Sequence, residues 1–318
     1  MKASRIFSII LFLVPFTLRA QQDVQINQYI FNYLYVNPAY AGYKEDFYAH
    51  SFYRNQWAGV KGAPETFALS VDGSVADEKV GLGLTIMQDN IGAQSNFQAH
   101  AIYAYRLPVG RENTLSFGLA AGVLQSGVDG SKLNPMDEAD PYISSAVETA
   151  LFPDIKAGIF YSSRSFFTGF SVTNILENGM GKTYQMVATP VPHYYLTAGG
   201  LLSLSDDVLM KPSILLKRDQ KGITSADLNT LFMLREKFWL GVGLRSFYRK
   251  GSDGDQQNFG NNQLVAMAEL FSGNKFRFGY AYEYSIAAAS GMGSSHEISL
   301  GIYLRKHRET PMGKRCFF

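Results

Sequence analysis

One cysteine in 318 residues, Cys316, leaves no internal disulfide to hold this chain together. Charged residues make up only 18% and the formal net charge is +2, so the charge balance gives no pull towards nucleic acid. Beyond residues 1–20 no apolar run approaches the length of a transmembrane helix, which excludes a helical membrane bundle. Catalytic patterns are missing as well. The five histidines are scattered without metal-ligand spacing, and His296-Glu297 lacks a second histidine four residues along. Neither a Gly-x-Ser-x-Gly elbow nor a phosphate-cradling glycine loop occurs. Asp137, Glu138 and Asp140 come without a partner base or nucleophile, and Ser252-Asp253-Gly254-Asp255 reads as a solvated turn rather than a calcium loop. No cofactor, no metal and no enzymatic activity are expected.

Glycine (30), phenylalanine (23) and tyrosine (19) are abundant, and they alternate. Val80, Leu82, Leu84 and Ile86 stand against Gly81, Gly83 and Thr85. Phe97, Ala99, Ala101, Tyr103, Tyr105 and Leu107 stand against Asn96, Gln98, His100, Ala104 and Arg106. Leu115, Phe117, Leu119 and Ala121 oppose Ser116, Gly118, Ala120 and Gly122. Period two over such lengths means strands with one apolar face and one small or polar face. About fourteen segments of this kind run from Phe47–Gln56 to His296–Arg305, the spacing of an all-β barrel.

The connections alternate in length. Gly73–Lys79, Pro108–Asn113, Ser162–Ser165, Ser203–Asp207, Arg235–Glu236 and Ser272–Lys275 are short. Those between them, Trp57–Glu65, Asp89–Gln94, Ser126–Pro153, Asn174–Pro192, Arg218–Ser225, Lys250–Asn262 and Ser285–Ser295, are mostly longer. Short turns on one rim and long loops on the other characterise a membrane barrel, a contrast that a β-sandwich or propeller does not predict. The fold expected is therefore all-β, a transmembrane antiparallel barrel of about 14 strands. Phe276, Phe278, Tyr280, Tyr282 and Tyr284 would face lipid and Arg277, Gly279, Ala281 and Glu283 the lumen, since a charge facing mid-bilayer costs roughly 2–4 kcal/mol. Arg54, His100 and Arg106 would join Arg277 inside.

Four regions are expected. Residues 1–20 read as a cleaved export signal: Lys2 and Arg5, an apolar run from Ile6 to Leu18, and Ala20 at the cut. Residues 21–46, rich in Asn, Gln and Tyr without period, read as a periplasmic or plug-like segment, with a mouth cover or simple lead-in as alternatives. Residues 47–307 form the barrel and 308–318 a tail ending in Phe317-Phe318, which resembles the signal read by outer-membrane insertion machinery.

Fragments outside the periodic pattern carry a resemblance. Asn37-Pro38-Ala39-Tyr40-Ala41-Gly42, Tyr53-Arg54-Asn55-Gln56-Trp57-Ala58-Gly59 and Gly62-Ala63-Pro64-Glu65-Thr66 resemble the opening of the PorP/SprF family. Asp89-Asn90-Ile91-Gly92, Tyr103-Ala104-Tyr105-Arg106-Leu107, Leu115-Ser116-Phe117-Gly118-Leu119, Pro153-Asp154 with Ala157-Gly158-Ile159, Lys211-Pro212-Ser213, Asp227-Leu228-Asn229 and Ser295-His296-Glu297-Ile298 follow in order. The resemblance implies an outer-membrane component of the type IX secretion system of Bacteroidota, linked in some members to gliding motility. Its implied partners are outer-membrane lipid, the ring lipoprotein and periplasmic components of the machine, a peptidoglycan-binding periplasmic protein, and the C-terminal domain of a secreted surface adhesin. Asn37, Pro38, Gly42, Arg54, Asn55, Trp57, Gly62 and Pro64 are the candidate partner-binding residues. A passive porin or small-molecule transporter is the alternative that the same strand pattern would serve.

Overall fold

The computed structural model describes residues 24–110, 112–133, 145–176, 184, 186–187, 189–219, 223–249, 260–286 and 293–304. The expected export signal, the tail, Cys316 and Asp137, Glu138, Asp140, Asp253 and Asp255 lie outside the described residues. Strand segments follow one another in sequence: β1 (Tyr48–Asn55), β2 (Glu65–Val75), β3 (Val80–Ile91), β4 (Gln94–Val109), β5 (Asn113–Asp129), β6 (Val147–Ser162), β7 (Phe166–Thr173) and β8 (His193–Gly200). The round is completed by β9 (Leu202–Ser205), β10 (Val208–Asp219), β11 (Ile223–Leu234), β12 (Phe238–Arg249), β13 (Gly260–Ser272), β14 (Phe276–Ser285) and β15 (Ser295–Tyr303). β8 and β9 are two parts of one stave, broken at Leu201 and both paired with β10, so the wall has fourteen staves. Every pairing is antiparallel, and β1 closes on β15 with Tyr48 opposite Tyr303 and Asn55 opposite His296. Closure gives every stave two hydrogen-bonded neighbours, the condition for a sheet to sit in hydrocarbon; beyond Ala157, towards Val147, β6 outruns β7.

Parity sets the two faces as the sequence predicts. On β14 the five aromatics from Phe276 to Tyr284 are all exposed on the outside, while Arg277, Ala281 and Glu283 are buried within. On β3 Leu82, Leu84 and Ile86 point out, and Leu84 is 60% exposed. Towards the short-turn rim the outer face carries Tyr103, Tyr105, Phe117, Phe166, Phe238 and Phe276; towards the opposite rim it carries Tyr53, Phe67, Tyr194 and Tyr284. Two aromatic girdles with an aliphatic band between them are the surface that a bilayer requires. Level with the second girdle, Gln88, which sits between Phe67 and Phe97, hydrogen-bonds Asn90 and Ser95. An arginine in place of Leu84 is expected to lower stability by about 2–4 kcal/mol in lipid vesicles, read by urea unfolding, because its outward position lies between the girdles.

Three connections differ from expectation, among them Arg218–Ser225, where β10 runs on to Asp219 and β11 resumes at Ile223. β3 and β4 pair to Ile91 opposite Gln94, so their link is the two-residue turn Gly92-Ala93, with Gly92 at φ +56°, rather than a longer loop. Pro153 does not end a strand: it lies within β6, opposite Val123, and β5 and β6 run on past it to Asp129 and Val147. Proline removes only one ladder donor, and sixteen paired residues on each side outweigh that loss.

The segment that precedes β1 runs inside the barrel. Three short 3-10 turns, Gln28–Phe31, Tyr33–Tyr35 and Pro38–Tyr40, fold it into a compact plug. Asparagine starts two of them: the side-chain oxygen of Asn32 accepts from the Leu34 amide, and that of Asn37 from the Ala39 amide, with Pro38 at the first helical position. Such local bonds satisfy backbone groups without periodicity. Tyr29, Ile30, Phe31, Tyr33, Leu34, Ala39, Tyr40 and Tyr43 are buried in one apolar cluster with wall residues such as Phe160 and Phe167.

Candidate functional site

The lumen holds the polar residues that the parity turned inward, and they meet the plug. Near the long-loop rim, Glu297 on β15 accepts the consecutive amides of Asn27 and Gln28 at 2.9 Å each, while the Gln28 side-chain amide donates to the Glu297 carbonyl at 2.9 Å. Ser299 donates to the Gln28 side-chain oxygen at 2.6 Å. Arg245 on β12 donates to the Ile26 carbonyl and to Asn27 Oδ1, both at 2.9 Å. The same guanidinium forms a two-pronged pair with Asp227 on β11 at 2.9 and 2.8 Å and reaches Glu283 at 3.2 Å. Arg54 on β1 bridges Glu283 at 2.9 Å and Glu297 at 3.4 Å, across the seam where the first and last strands close.

Lower down, Asn229 donates to the Tyr29 hydroxyl, Asn32 to Ser70, and Ser171 to the Val36 carbonyl. The Asn37 amide donates to the wall carbonyls of Ile159 and Phe170 at 3.0 and 3.4 Å. At the short-turn rim, the Gly42 amide donates to Asp72 at 2.9 Å and Ser74 to the Glu45 carbonyl at 2.7 Å. Lys44 donates to the Phe31 carbonyl at 3.0 Å and lies 3.5 Å above the Tyr48 ring. Burial, with the Arg277 guanidinium adding to it, pushes the Lys44 ammonium below its ordinary range.

The plug reaches the wall because glycines let it. A Cβ on Gly118 would strike the backbone of Pro38 and Ala39; one on Gly81 would strike the carbonyl of Ala41; one on Gly158 would strike the Asn37 side chain. The sequence shows these glycines only as small residues of the inward parity. Beside the plug, on the side facing β3–β6 and β8–β10, two cavities of about 20 and 30 Å³ share Tyr35, Val36, Met87, Gln98 and Lys156. Each has room for no more than a few water molecules.

The eight sequence candidates fall into two groups. Asn37, Pro38 and Gly42 are enclosed plug residues, and Arg54 belongs to the lumen network. Asn55, Trp57, Gly62 and Pro64 lie at the other rim, in and beside the β1–β2 connection. That connection is tied down: Gln56 N–H donates to the Pro64 carbonyl, Trp57 N–H to Ser295, Ala58 N–H to the Ser294 carbonyl, and Gly92 N–H to the Gly62 carbonyl. Trp57 sits at φ +53° and is half-buried, Gly62 is exposed and Pro64 is buried. The eight do not share one surface. His100, Arg106 and Arg277 point into the lumen, where His100 pairs with Asp154 at 2.7 Å. Sequence reasoning missed Asp227, Arg245 and the paired role of Glu283 and Glu297; their only shared signal is charge at inward positions on neighbouring strands.

Among the described residues no three His, Cys, Asp or Glu side chains gather as a metal site, and no helix is long and apolar enough to cross a membrane. Solved structures place the fold among outer-membrane barrels. The CymD monoaromatic hydrocarbon channel superposes with a TM-score of 0.52 at 10% identity, covering 88% of this chain and 94% of its own. A Pseudomonas aeruginosa FadL homologue gives 0.49 at 9% identity over 85% and 93%. CdiB from Acinetobacter baumannii gives 0.41 at 8% identity over 81% of this chain, which spans only 59% of CdiB. At these identities the likeness concerns the fold alone. No curated protein matches. The model of the type IX secretion system membrane proteins PorP/SprF matches residues 18–302, plug and barrel together, so the chain belongs to the PorP/SprF family and is an outer-membrane component of that secretion system.

Proposed function

We propose that this protein is a plugged, non-enzymatic docking barrel that supports export or surface anchoring of cargo proteins, gliding adhesins among them, rather than a passage through which cargo moves. The observation that carries this reading is the occupancy of the lumen by residues 24–46, bonded to the wall from Glu297 at one end to Ser74 at the other. Among the described residues, the two cavities beside the plug are water-sized, far below the cross-section of a folded domain. The long connections would face outward from the cell and the short turns the periplasm. On that orientation the β1–β2 connection with Trp57 and Gly62 stands on the cargo side. The short turns would meet the ring lipoprotein, the other periplasmic components and the peptidoglycan-binding protein.

A clean deletion followed by mass spectrometry of secreted and surface proteins tests the role. Retention of every type IX substrate in the periplasm identifies a core component; loss of one large surface protein identifies a dedicated partner. An unchanged profile rejects both. In a planar bilayer the intact protein is expected to show little or no single-channel conductance, and stepwise opening at rest would favour a porin instead.

A further inference from the structure

The two ends of the plug meet charge differently. Near the long-loop rim both guanidinium groups are paired, Arg54 with Glu283 and Glu297, and Arg245 with Asp227 and Glu283. At the short-turn end the plug itself carries the cation. Lys44 is 2% accessible and, among the described residues, forms no ion pair. Its contacts are the Phe31 carbonyl at 3.0 Å and the face of Tyr48 at 3.5 Å. Around it stand Tyr48 and His50 on β1, Asp72 on β2, Lys211 on β10, Glu269 on β13 and Arg277 on β14. Neither carboxylate is committed to Lys44: Asp72 takes the Gly42 amide at 2.9 Å, and Glu269 faces Arg277 at 4.0 Å. A buried charge without a partner is costly, and a lysine escapes that cost by giving up its proton. Lys44 also lies between the two bonds that seat this end. The Gly42 amide is on one side of it, and on the other the Glu45 carbonyl accepts from the Ser74 amide at 2.9 Å and hydroxyl at 2.7 Å.

We propose that Lys44 is a proton-operated catch for the short-turn end of the plug: uncharged, it seats the Gly42–Asp46 turn against Asp72 and Ser74; protonated, it loosens that turn. Burial and the neighbouring Arg277 guanidinium hold its ammonium below the ordinary lysine range of about 10.4. The seated plug therefore binds fewer protons at this site than the open chain does. Stability from this site is present at and above the ordinary value and is lost as the pH falls through the lowered one. The inference is independent of the secretion role, since it is read on the purified barrel.

The test compares the unmodified protein with Lys44→Met, which keeps the length of the side chain and removes the proton site. Both are unfolded by urea in lipid vesicles at a series of pH values. Between pH 8 and pH 10 the unfolding equilibrium constant of the unmodified protein, taken relative to that of K44M, is expected to fall at least about tenfold. The ratio cancels the groups that titrate alike in both proteins. Hydrogen exchange places the effect: on acidification the Gly42–Asp46 amides should open more readily in the unmodified protein and not in K44M. A ratio that stays constant overturns the proposal. A ratio that rises with pH also overturns it, because Lys44 would then be held as a charged partner. So does a falling ratio with no change of exchange in Gly42–Asp46. If K44M does not insert, Lys44→Leu is judged by the same criteria.

Discussion

Gly118→Val is expected to destabilise the barrel by about 3 kcal/mol, the upper end for forcing extra carbons into a filled space. The added Cβ meets the backbone of Pro38 and Ala39, which has no flexible end to swing aside. Either β5 moves out of register with β4 and β6, or the Pro38–Gly42 turn leaves the wall. The first breaks a ladder of sixteen paired residues; the second exposes Tyr40, which is 4% accessible, and uncovers Phe160. Gly127 on the same strand provides the control. A Cβ there meets Thr149 Oγ1 at 3.4 Å and the Glu148 and Ser95 carbonyls at 3.6 and 3.8 Å, ordinary contacts, so Gly127→Ala should shift stability by less than about 1 kcal/mol. Urea unfolding in lipid vesicles measures both. A Gly118→Val protein as stable as its parent would mean that the plug is not seated on β5.

Why the barrel was legible and the plug was not follows from where the constraints lie. A wall strand repeats its burial every second residue, so Phe276 to Ser285 declares its two faces without reference to any other segment. The extension of β5 and β6 past Pro153 was hidden because proline argues against a strand interior, although the neighbouring ladder holds it there. Residues 24–46 have no period because their contacts with the wall are long-range: Gln28 with Ser299, Asn37 with Ile159, Gly42 with Asp72. Nothing local marks those pairs. The fragments that resemble the PorP/SprF family do contain many of them, among them Asn37, Arg54, Gly118, Gly158, Asp227, Asn229 and Glu297. The resemblance is thus carried in good part by the plug and the wall that receives it, while the strand pattern by itself described only a barrel.

Arg245→Ala tests whether the charged network holds the structure or merely fills space. The guanidinium is enclosed and makes contact with Asp227, Glu283, Asn27 and the Ile26 carbonyl at once. Truncation removes the counter-charge from Asp227, which is 2% accessible, and half of the counter-charge from Glu283, which keeps Arg54. Breaking one side of a buried pair costs roughly 3–5 kcal/mol, because the remaining charge is left unpaired. Replacing both members by apolar residues of similar volume, Arg245→Met with Asp227→Leu, should recover most of that loss, since no isolated charge remains. The two bonds to Ile26 and Asn27 are lost in either variant. If the single and double variants unfold at the same urea concentration, the cost lies in those plug bonds and not in the stranded carboxylate. If the double variant recovers, the wall network is self-sufficient, and the segment Val24–Gln28 rests on a scaffold that does not need it.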